Sequence, residues 1–286
     1  MWDRMAAWWD QKQGEEGDRW HRLLIEPTFE RVIGDVGGLC VLEIASGNGR
    51  LARRMARRGA KVTAVDASEG MIIHARQREA EDPTGTEYHL ADAACLGILA
   101  DGSFDLVVAG MALMDIADAE EALLEAGRAL RVGGRLVASM IHPCFDTGGE
   151  NSCWVAERYA YETRVFRKVG RYRELFEHSA AWRVGGHEDP QAVMETPYYH
   201  RPLSWYFRAL KAAGLAVTAF EEPEPTEEFV AEASQGPFLR KIPLHCVIEY
   251  GSEIRALLPG HGSHAPGFPE RVLLRLQDGA RGRPLP

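Results

Sequence analysis

At 286 residues, with 45% hydrophobic and 26% charged side chains, the chain holds enough apolar material for a full α/β core that needs neither disulfides nor metals. Its net charge of -9 argues against nonspecific attraction of the whole molecule to nucleic acid, leaving only a local basic patch to act there. Cys40, Cys95, Cys144, Cys153 and Cys246 are scattered, with no C-x-x-C pair, no signal peptide and no apolar run near the ~18 residues of a membrane span, so the expectation is a cytoplasmic protein with no structural metal and no membrane partner.

The arm from Met1 to Asp35 holds Trp2, Trp8, Trp9 and Trp20, four of the seven tryptophans, and these need a surface to cover. The Trp8-Trp9 spacing fits no single helical face, and Gly14 to Gly17 interrupts the arm. Cys40 to Ala45 then reads as a strand buried on both faces, Ser46 to Gly49 as a glycine-rich turn, and about Asn48 to Arg58 as a helix. Leu51 and Met55 share one face of that helix, with Gly59 placed for a left-handed cap. Lys61 to Asp66 is a second strand that ends in a carboxylate. Such a β-α-β unit presents its ligand loop at the carboxyl end of the first strand. Gly47 to Ala52 satisfies G-x-G-x-x-A, the dinucleotide fingerprint, with Asp66 placed for a ribose hydroxyl. Glu43 discriminates, because a carboxylate four residues before the first glycine would oppose a pyrophosphate but suits the sulfonium and ammonium of S-adenosylmethionine.

The run Glu43-Ile44-Ala45-Ser46-Gly47-Asn48-Gly49 resembles the first motif of the class I S-adenosylmethionine-dependent methyltransferases with a type 11/25-like domain. Asp66 matches the acidic residue ending their second strand, and Leu90-Ala91-Asp92-Ala93 and Phe104-Asp105-Leu106-Val107-Val108 match two later pieces. The resemblance covers Cys40 to His142 well and Arg201 to Tyr250 in outline. It implies an α/β, Rossmann-like fold: a seven-stranded, mostly parallel sheet with an antiparallel last strand, plus an inserted substrate-cap segment. S-adenosyl-L-methionine is the implied cofactor and S-adenosyl-L-homocysteine the product. The ligand set carried over is Glu43, Ala45, Ser46, Gly47, Asn48, Gly49, Asp66, Ala67, Met71, Asp92, Ala93, Gly110 and Met111. By resemblance Asp92 receives the adenine amino group, beside the reading as an ordinary turn residue. In related methyltransferases such an arm folds over the cofactor, which makes Trp8 and Trp9 substrate-side candidates; a helix simply packed on the domain is the other reading.

Ser68 is an N-cap for a helix through about Ala80, Asp82 to Gly85 a turn, Thr86 to Leu90 the third strand and Asp105 to Ala109 the fourth. Many relatives carry a histidine pair near Met114 and Asp115, and this chain has none. Asp115 is a candidate to orient a substrate or accept a proton, but it also precedes the capping-box-like Asp118 to Glu121. The next helix runs to about Leu130, ended by Gly133-Gly134, and Arg135 to Ile141 is the fifth strand. His142, at the rim where this fold puts substrates, is the leading base candidate. A histidine bonded to backbone beside Pro143 is the structural alternative, and Cys144 reads as packing.

Asp146 to His200 interrupts the pattern with 55 residues, and Phe145 to Phe207 holds 13 of the 25 aromatic residues, which suggests an aromatic-lined pocket. Tyr159 to Leu175 reads as a hairpin turning at Gly170, carrying Arg164, Arg167, Lys168, Arg171 and Arg173 either for a substrate anion or as a solvated face. Tyr199 and His200 follow as a stacking face and a second base candidate. Pro202 to Ala213 is a helix, and Leu215 to Phe220 with Leu244 to Tyr250 close the sheet. The expected organisation is an arm or lid over 1–35, a cofactor core over 36–145, a cap over 146–200, the end of the core over 201–250 and an extension over 251–286 with an apolar stretch at Val272 to Leu276. The expected activity is methyl transfer to an oxygen, nitrogen or carbon of a small molecule, an aromatic one being one option. An RNA or tRNA methyltransferase, an NAD(P)-dependent oxidoreductase and a noncatalytic cofactor-binding module stay open as alternatives, and so does a homodimer.

Overall fold

Eleven strands are found among the described residues: β1 Cys40–Ile44, β2 Lys61–Asp66, β3 Glu87–Leu90, β4 Phe104–Gly110, β5 Leu130–Ile141, β6 Ser152–Arg158, β7 Thr163–Val169, β8 Phe176–Gly185, β9 Asp189–His200, β10 Ala216–Glu221 and β11 His245–Gly251. The computed structural model describes residues 1–185 and 189–251, without the side chains of 185 and 189–191; the expected extension, with Val272 to Leu276, lies outside the described residues from 252 onward. The central sheet has the order β10-β11-β5-β4-β1-β2-β3. β1 is parallel to β2 and β4, β2 to β3 and β4 to β5, while β11 runs antiparallel to both β5 and β10. The antiparallel last strand is therefore as expected.

The strands of this sheet are apolar because both faces are covered. Leu42, Ile44, Val107 and Ala109 pack with Leu123, Ala126, Tyr206 and Leu210 on one face, the last four from α5 (Ala119–Ala129) and α6 (Leu203–Ala212). Val41, Val62, Leu106 and Val108 pack on the other with Phe29, Met55 and Ile72. Those three come from α2 (Glu26–Ile33), α3 (Arg50–Arg57) and α4 (Glu69–Glu81). Each buried aliphatic side chain contributes about 1.5–3 kcal/mol, so the layers hold the strand ends in place. The carboxyl ends of β1, β2 and β4 meet at one rim and bring the Ala45–Gly49 loop, Asp66–Ser68 and Gly110-Met111 together. Ser68 caps α4 by accepting the Met71 N–H at 3.2 Å, as its position predicts.

Three local expectations are corrected. α5 passes directly into β5 at Leu130, so Gly133 and Gly134 lie within the strand. The β4–β5 register shifts between Phe104 and Leu106, Gly133 has φ +81°, and a side chain on Gly134 would meet the Arg131 and Asp105 carbonyls; the glycine pair serves this bulge rather than a helix end. Asp118 makes no side-chain cap to α5. The basic hairpin pairs β6 with β7, turning where the Tyr159 N–H donates to the Glu162 carbonyl at 2.8 Å, and Gly170 ends β7 instead of forming the turn. β8 and β9 form a second antiparallel pair, in which Trp182 faces Met194. The arm is α1 (Trp2–Gln13), a π-helical turn over His21–Ile25, and α2. No helix among the described residues is long and apolar enough to cross a membrane.

Candidate active site

A cavity of about 500 Å³ opens at the rim. Its lining runs from Asp92 and Ala93 past Asp66, Ala67, Met71 and the Ala45–Asn48 loop to Glu43, and on through Gly110 and Met111 to Met114, Asp115 and Tyr198. Of the expected cofactor residues all but Gly49 line it, and Gly49 shapes the loop from beneath. Gly49 has φ +73°, and a Cβ there would lie 2.5 Å from the Tyr88 ring, so the loop can turn over Tyr88 only with glycine. Ala45 and Met111, with φ +51° and +52°, hold left-handed backbone at the ends of β1 and β4, on either side of Glu43.

Glu43 is 3% exposed, and its Oε2 has no hydrogen-bond partner among the described residues. Burial pushes its carboxyl up to about 8, against which Arg50 acts more weakly. The Ser46 hydroxyl is likewise buried without a partner. Asp66 accepts the Gly47 N–H at 2.7 Å and the Ser68 N–H at 2.8 Å, which locks the two loops together while burial raises its pKa. Asp92 is exposed, and one of its oxygens accepts the Ala94 N–H at 2.9 Å, the local turn bond expected of an ordinary aspartate; it lines the cavity nonetheless. A buried carboxyl with one oxygen unpartnered beside a glycine loop, and a second carboxylate at the end of β2, fit a ligand carrying hydroxyls and positive charge. They do not fit a pyrophosphate.

The arm closes over this loop. Asp3 accepts from the Ser68 hydroxyl at 2.7 Å and the Gly70 N–H at 3.0 Å; Asp10 accepts from Asn48 Nδ2 at 2.9 Å and Arg78 Nε at 2.6 Å. Fully buried Arg53 donates to the Asn48 carbonyl at 2.9 Å and to Glu15 at 2.7 Å. Gly70 permits the close approach, since a Cβ there would lie 2.8 Å from Ala6. The Trp9 indole lies against Gly47 and lines the cavity, whereas Trp8 does not. Trp8 joins an aromatic cluster instead: Trp182, from β8 of the cap, meets Trp9 edge-on at 5.4 Å and Trp8 at 6.2 Å, and the Lys12 ammonium lies 4.7–5.2 Å from all three rings. The sequence shows no spacing that ties Trp182 to the arm; only the fold brings them together.

Asp115 also lines the cavity, and burial alone pushes its carboxyl up to about 8, with no side-chain hydrogen bond to it among the described residues. The two histidine candidates are not in the lining. His142 Nε2 lies 3.0 Å from Glu222, its Nδ1 accepts the Cys144 N–H at 3.2 Å, and its ring packs on Phe145 and Phe220, the structural arrangement weighed against catalysis above. Burial lowers its pKa further than Glu222 raises it. His200 Nε2 donates to the Tyr172 carbonyl at 2.9 Å in a buried position against Phe176. The Tyr199 ring lies over Arg201 outside the lining, while its neighbour Tyr198 faces the cavity, because alternate residues of β9 point to opposite faces. In the basic hairpin Arg164 pairs with Glu162, Arg167 with Asp146 at 2.9 Å and Arg171 with Glu174 at 2.8 Å, leaving few free cations for a polyanion.

Several polar groups of the lining carry no motif in the sequence, Gln13, His21 and Glu26 among them. His21, on the π-helical turn, lines the cavity with Nδ1 2.8 Å from Asp18. The D-x-x-H spacing, which puts both groups on one side of a helical turn, was the available signal.

Residues 42–138 match the family profile described as a methyltransferase domain. The chain is 34% identical over 128 residues to a demethylmenaquinone methyltransferase of Renibacterium salmoninarum, covering 44% of this chain and 50% of that protein. It is 33% identical over 154 residues to the ubiquinone/menaquinone biosynthesis C-methyltransferase UbiE of Desulfotalea psychrophila, covering 51% and 56%. The chain thus spans about half the length of these curated relatives. Among solved structures, an S-adenosylmethionine-dependent methyltransferase from Mesorhizobium loti superposes with a TM-score of 0.63 at 25% identity, over 79% of this chain and 96% of that one.

Proposed function

We propose, for a chain whose residues 42–138 belong to the methyltransferase domain family and whose sheet is that of the class I S-adenosylmethionine-dependent enzymes, that the whole protein methylates a small hydroxylated aromatic molecule. The buried Glu43 carboxyl, with its Oε2 unpartnered among the described residues, carries this reading, because that oxygen calls for a ligand with positive charge or donors where a dinucleotide would place phosphate. S-adenosylmethionine supplies an electrophilic methyl group on a sulfonium centre. Asp66 would hold the ribose hydroxyls, Asp92 and Ala93 the adenine, and Glu43 with the Ala45–Asn48 loop the charged end. Burial, which pushes the Asp115 carboxyl up to about 8, favours its protonated form at neutral pH, a donor that would suit a carbonyl or ether oxygen on the acceptor ring. Trp9, Trp182 and Tyr198 line the same cavity, giving flat apolar surface for a ring and keeping bulk water out. The enzyme's main contribution is alignment of acceptor and methyl carbon at about 3 Å. The names of the relatives, which place them in menaquinone and ubiquinone biosynthesis, favour a quinone-related ring. The scattered free cysteines suit a reduced, cytoplasmic setting.

Calorimetric titration with S-adenosylmethionine and with NADH, repeated on Glu43→Ala and Asp66→Ala, tests the cofactor. Binding of the first alone, weakened by both changes, is expected. Release of S-adenosylhomocysteine with a set of catechols and hydroquinones then tests the acceptor class. NADH binding, or no binding of either cofactor to folded protein, would overturn the reading.

A further inference from the structure

The arm contributes more than cover. Asp18 Oδ1 lies 2.8 Å from His21 Nδ1 and also accepts the His21 backbone N–H at 3.1 Å, so the carboxylate fixes both the ring and its attachment. Burial would raise the Asp18 carboxyl, but the hydrogen bonds from His21, together with the Lys12 ammonium at 3.0 Å, oppose it and hold the group well below the ordinary carboxylate range. An ionised carboxylate can only accept, so the neutral form of the imidazole carries its proton on Nδ1 and presents a lone pair at Nε2. Nε2 has no hydrogen-bond partner among the described residues, and His21 lines the cavity. Beside it Gln13, 5% exposed, gives its Oε1 to the Asp18 N–H at 3.2 Å and leaves its buried Nε2 as an unpartnered donor in the same lining. Gly17, with φ +83°, shapes the turn; a Cβ there would lie 3.2 Å from that of His21 and 3.0 Å from the Arg50 guanidinium. His245 also faces this group; burial pushes its pKa down to about 3, so it stays neutral and adds no charge. A free acceptor, carried on a π-helical turn of the kind often found at functional sites, and an unpartnered donor therefore belong to the lining of the same cavity.

We propose that His21, oriented by Asp18, is the proton acceptor of the transfer, and that the acceptor molecule carries an acidic O–H which Gln13 and His21 recognise together. The inference rests on the methyltransferase reading above. The acceptor's O–H proton passes to His21 Nε2 while an oxygen lone pair forms the bond to the methyl carbon. The carbon–sulfur bond breaks with its electron pair going to sulfur, leaving a neutral thioether, and the imidazolium then returns its proton to solvent. Asp18 touches no substrate and acts as a positioning residue.

The test uses the full chain with S-adenosylhomocysteine and 4-nitrophenol, whose anion is yellow. Bound to the wild type, the probe should show about tenfold more anion relative to phenol than it does free at the same pH, one unit of pKa. Calorimetry should find it still bound by His21→Gln, more weakly than by the wild type and without the gain in anion, and Asp18→Asn should lose most of the gain. Independently of any acceptor, long-range ¹⁵N–¹H spectra of histidine-labelled protein should show His21 protonated at Nδ1, and Asp18→Asn should shift that proton toward Nε2. An Nε2-protonated His21 in the wild type, a gain in anion that survives His21→Gln, or failure of folded, cofactor-binding protein to bind 4-nitrophenol would each overturn the proposal. Failure to bind S-adenosylmethionine at all would instead sink the methyltransferase reading beneath it.

Discussion

Replacing Glu43 by glutamine should make the ligand-free protein more stable and its cofactor site worse. The carboxyl is 3% exposed and raised by burial from 4.5 to about 8. Below about pH 4.5 both folded and unfolded chains hold the proton and the group has no effect on stability. Above it the unfolded chain releases a proton that the native state keeps, so native stability falls until the folded carboxyl ionises near pH 8. At about 1.4 kcal/mol per unit, the loss is about 3 kcal/mol by pH 7 and at most about 5 kcal/mol beyond pH 8. Glutamine has the same shape and does not titrate. Urea unfolding of wild type and Glu43→Gln at several values from about pH 5 to about pH 8.5 should therefore show the variant's advantage growing with pH at constant m. Calorimetry should show weaker S-adenosylmethionine binding, and saturating cofactor should close the stability gap for the wild type. A stability difference that does not change with pH would refute the claim that Glu43 is held protonated by burial, and with it the argument that the site awaits a ligand to compensate that carboxyl.

Other outcomes follow from the same geometry. Asp115, raised from 3.8 to about 8, should behave alike: Asp115→Asn gains stability progressively between about pH 4 and about pH 8, measured by urea unfolding, and keeps the hydrogen-bond donor that the protonated acid offers at pH 7. Gly49→Ala meets the Tyr88 ring and a φ of +73°, so a loss of about 2 kcal/mol or more and a collapse of cofactor affinity are expected by thermal unfolding and calorimetry. Trp182→Ala removes two ring contacts of about 0.5–1.5 kcal/mol each; the arm should become more open to limited proteolysis and cofactor dissociation faster by stopped-flow fluorescence. His142→Gln, away from the cavity, should leave cofactor affinity within a few-fold while lowering the unfolding midpoint.

The sheet and the cofactor end of the cavity were legible because their signals are local: a strand buried on both faces, glycines at a turn and carboxylates at strand ends appear within a few residues of one another. The acceptor end was not. Trp182 meets Trp8 and Trp9 only because β8 crosses back toward the arm, and no periodicity in either segment records it. His142 and His200 stood at strand ends where a base is wanted, but Glu222 and the Tyr172 carbonyl, remote in sequence, hold them elsewhere. Gly133-Gly134 looked like a helix stop because a bulge and a cap ask for the same residue. Asp18 and His21 are not singled out by the sequence because an aspartate three residues ahead reads as an ordinary helix cap, and no spacing records that the cavity lies beside it.

The contact between arm and cap also bears on how the chain is made. Trp8 and Trp9 leave the ribosome before the ring that covers them, which arrives with β8, after five strands of the central sheet have been synthesised. A growing chain therefore carries an uncovered tryptophan pair while those strands are made, a sticky surface that a holding chaperone could shield. The arm, made before the sheet, is finished only after it, and cofactor affinity becomes a gauge of whether the distant cap has formed.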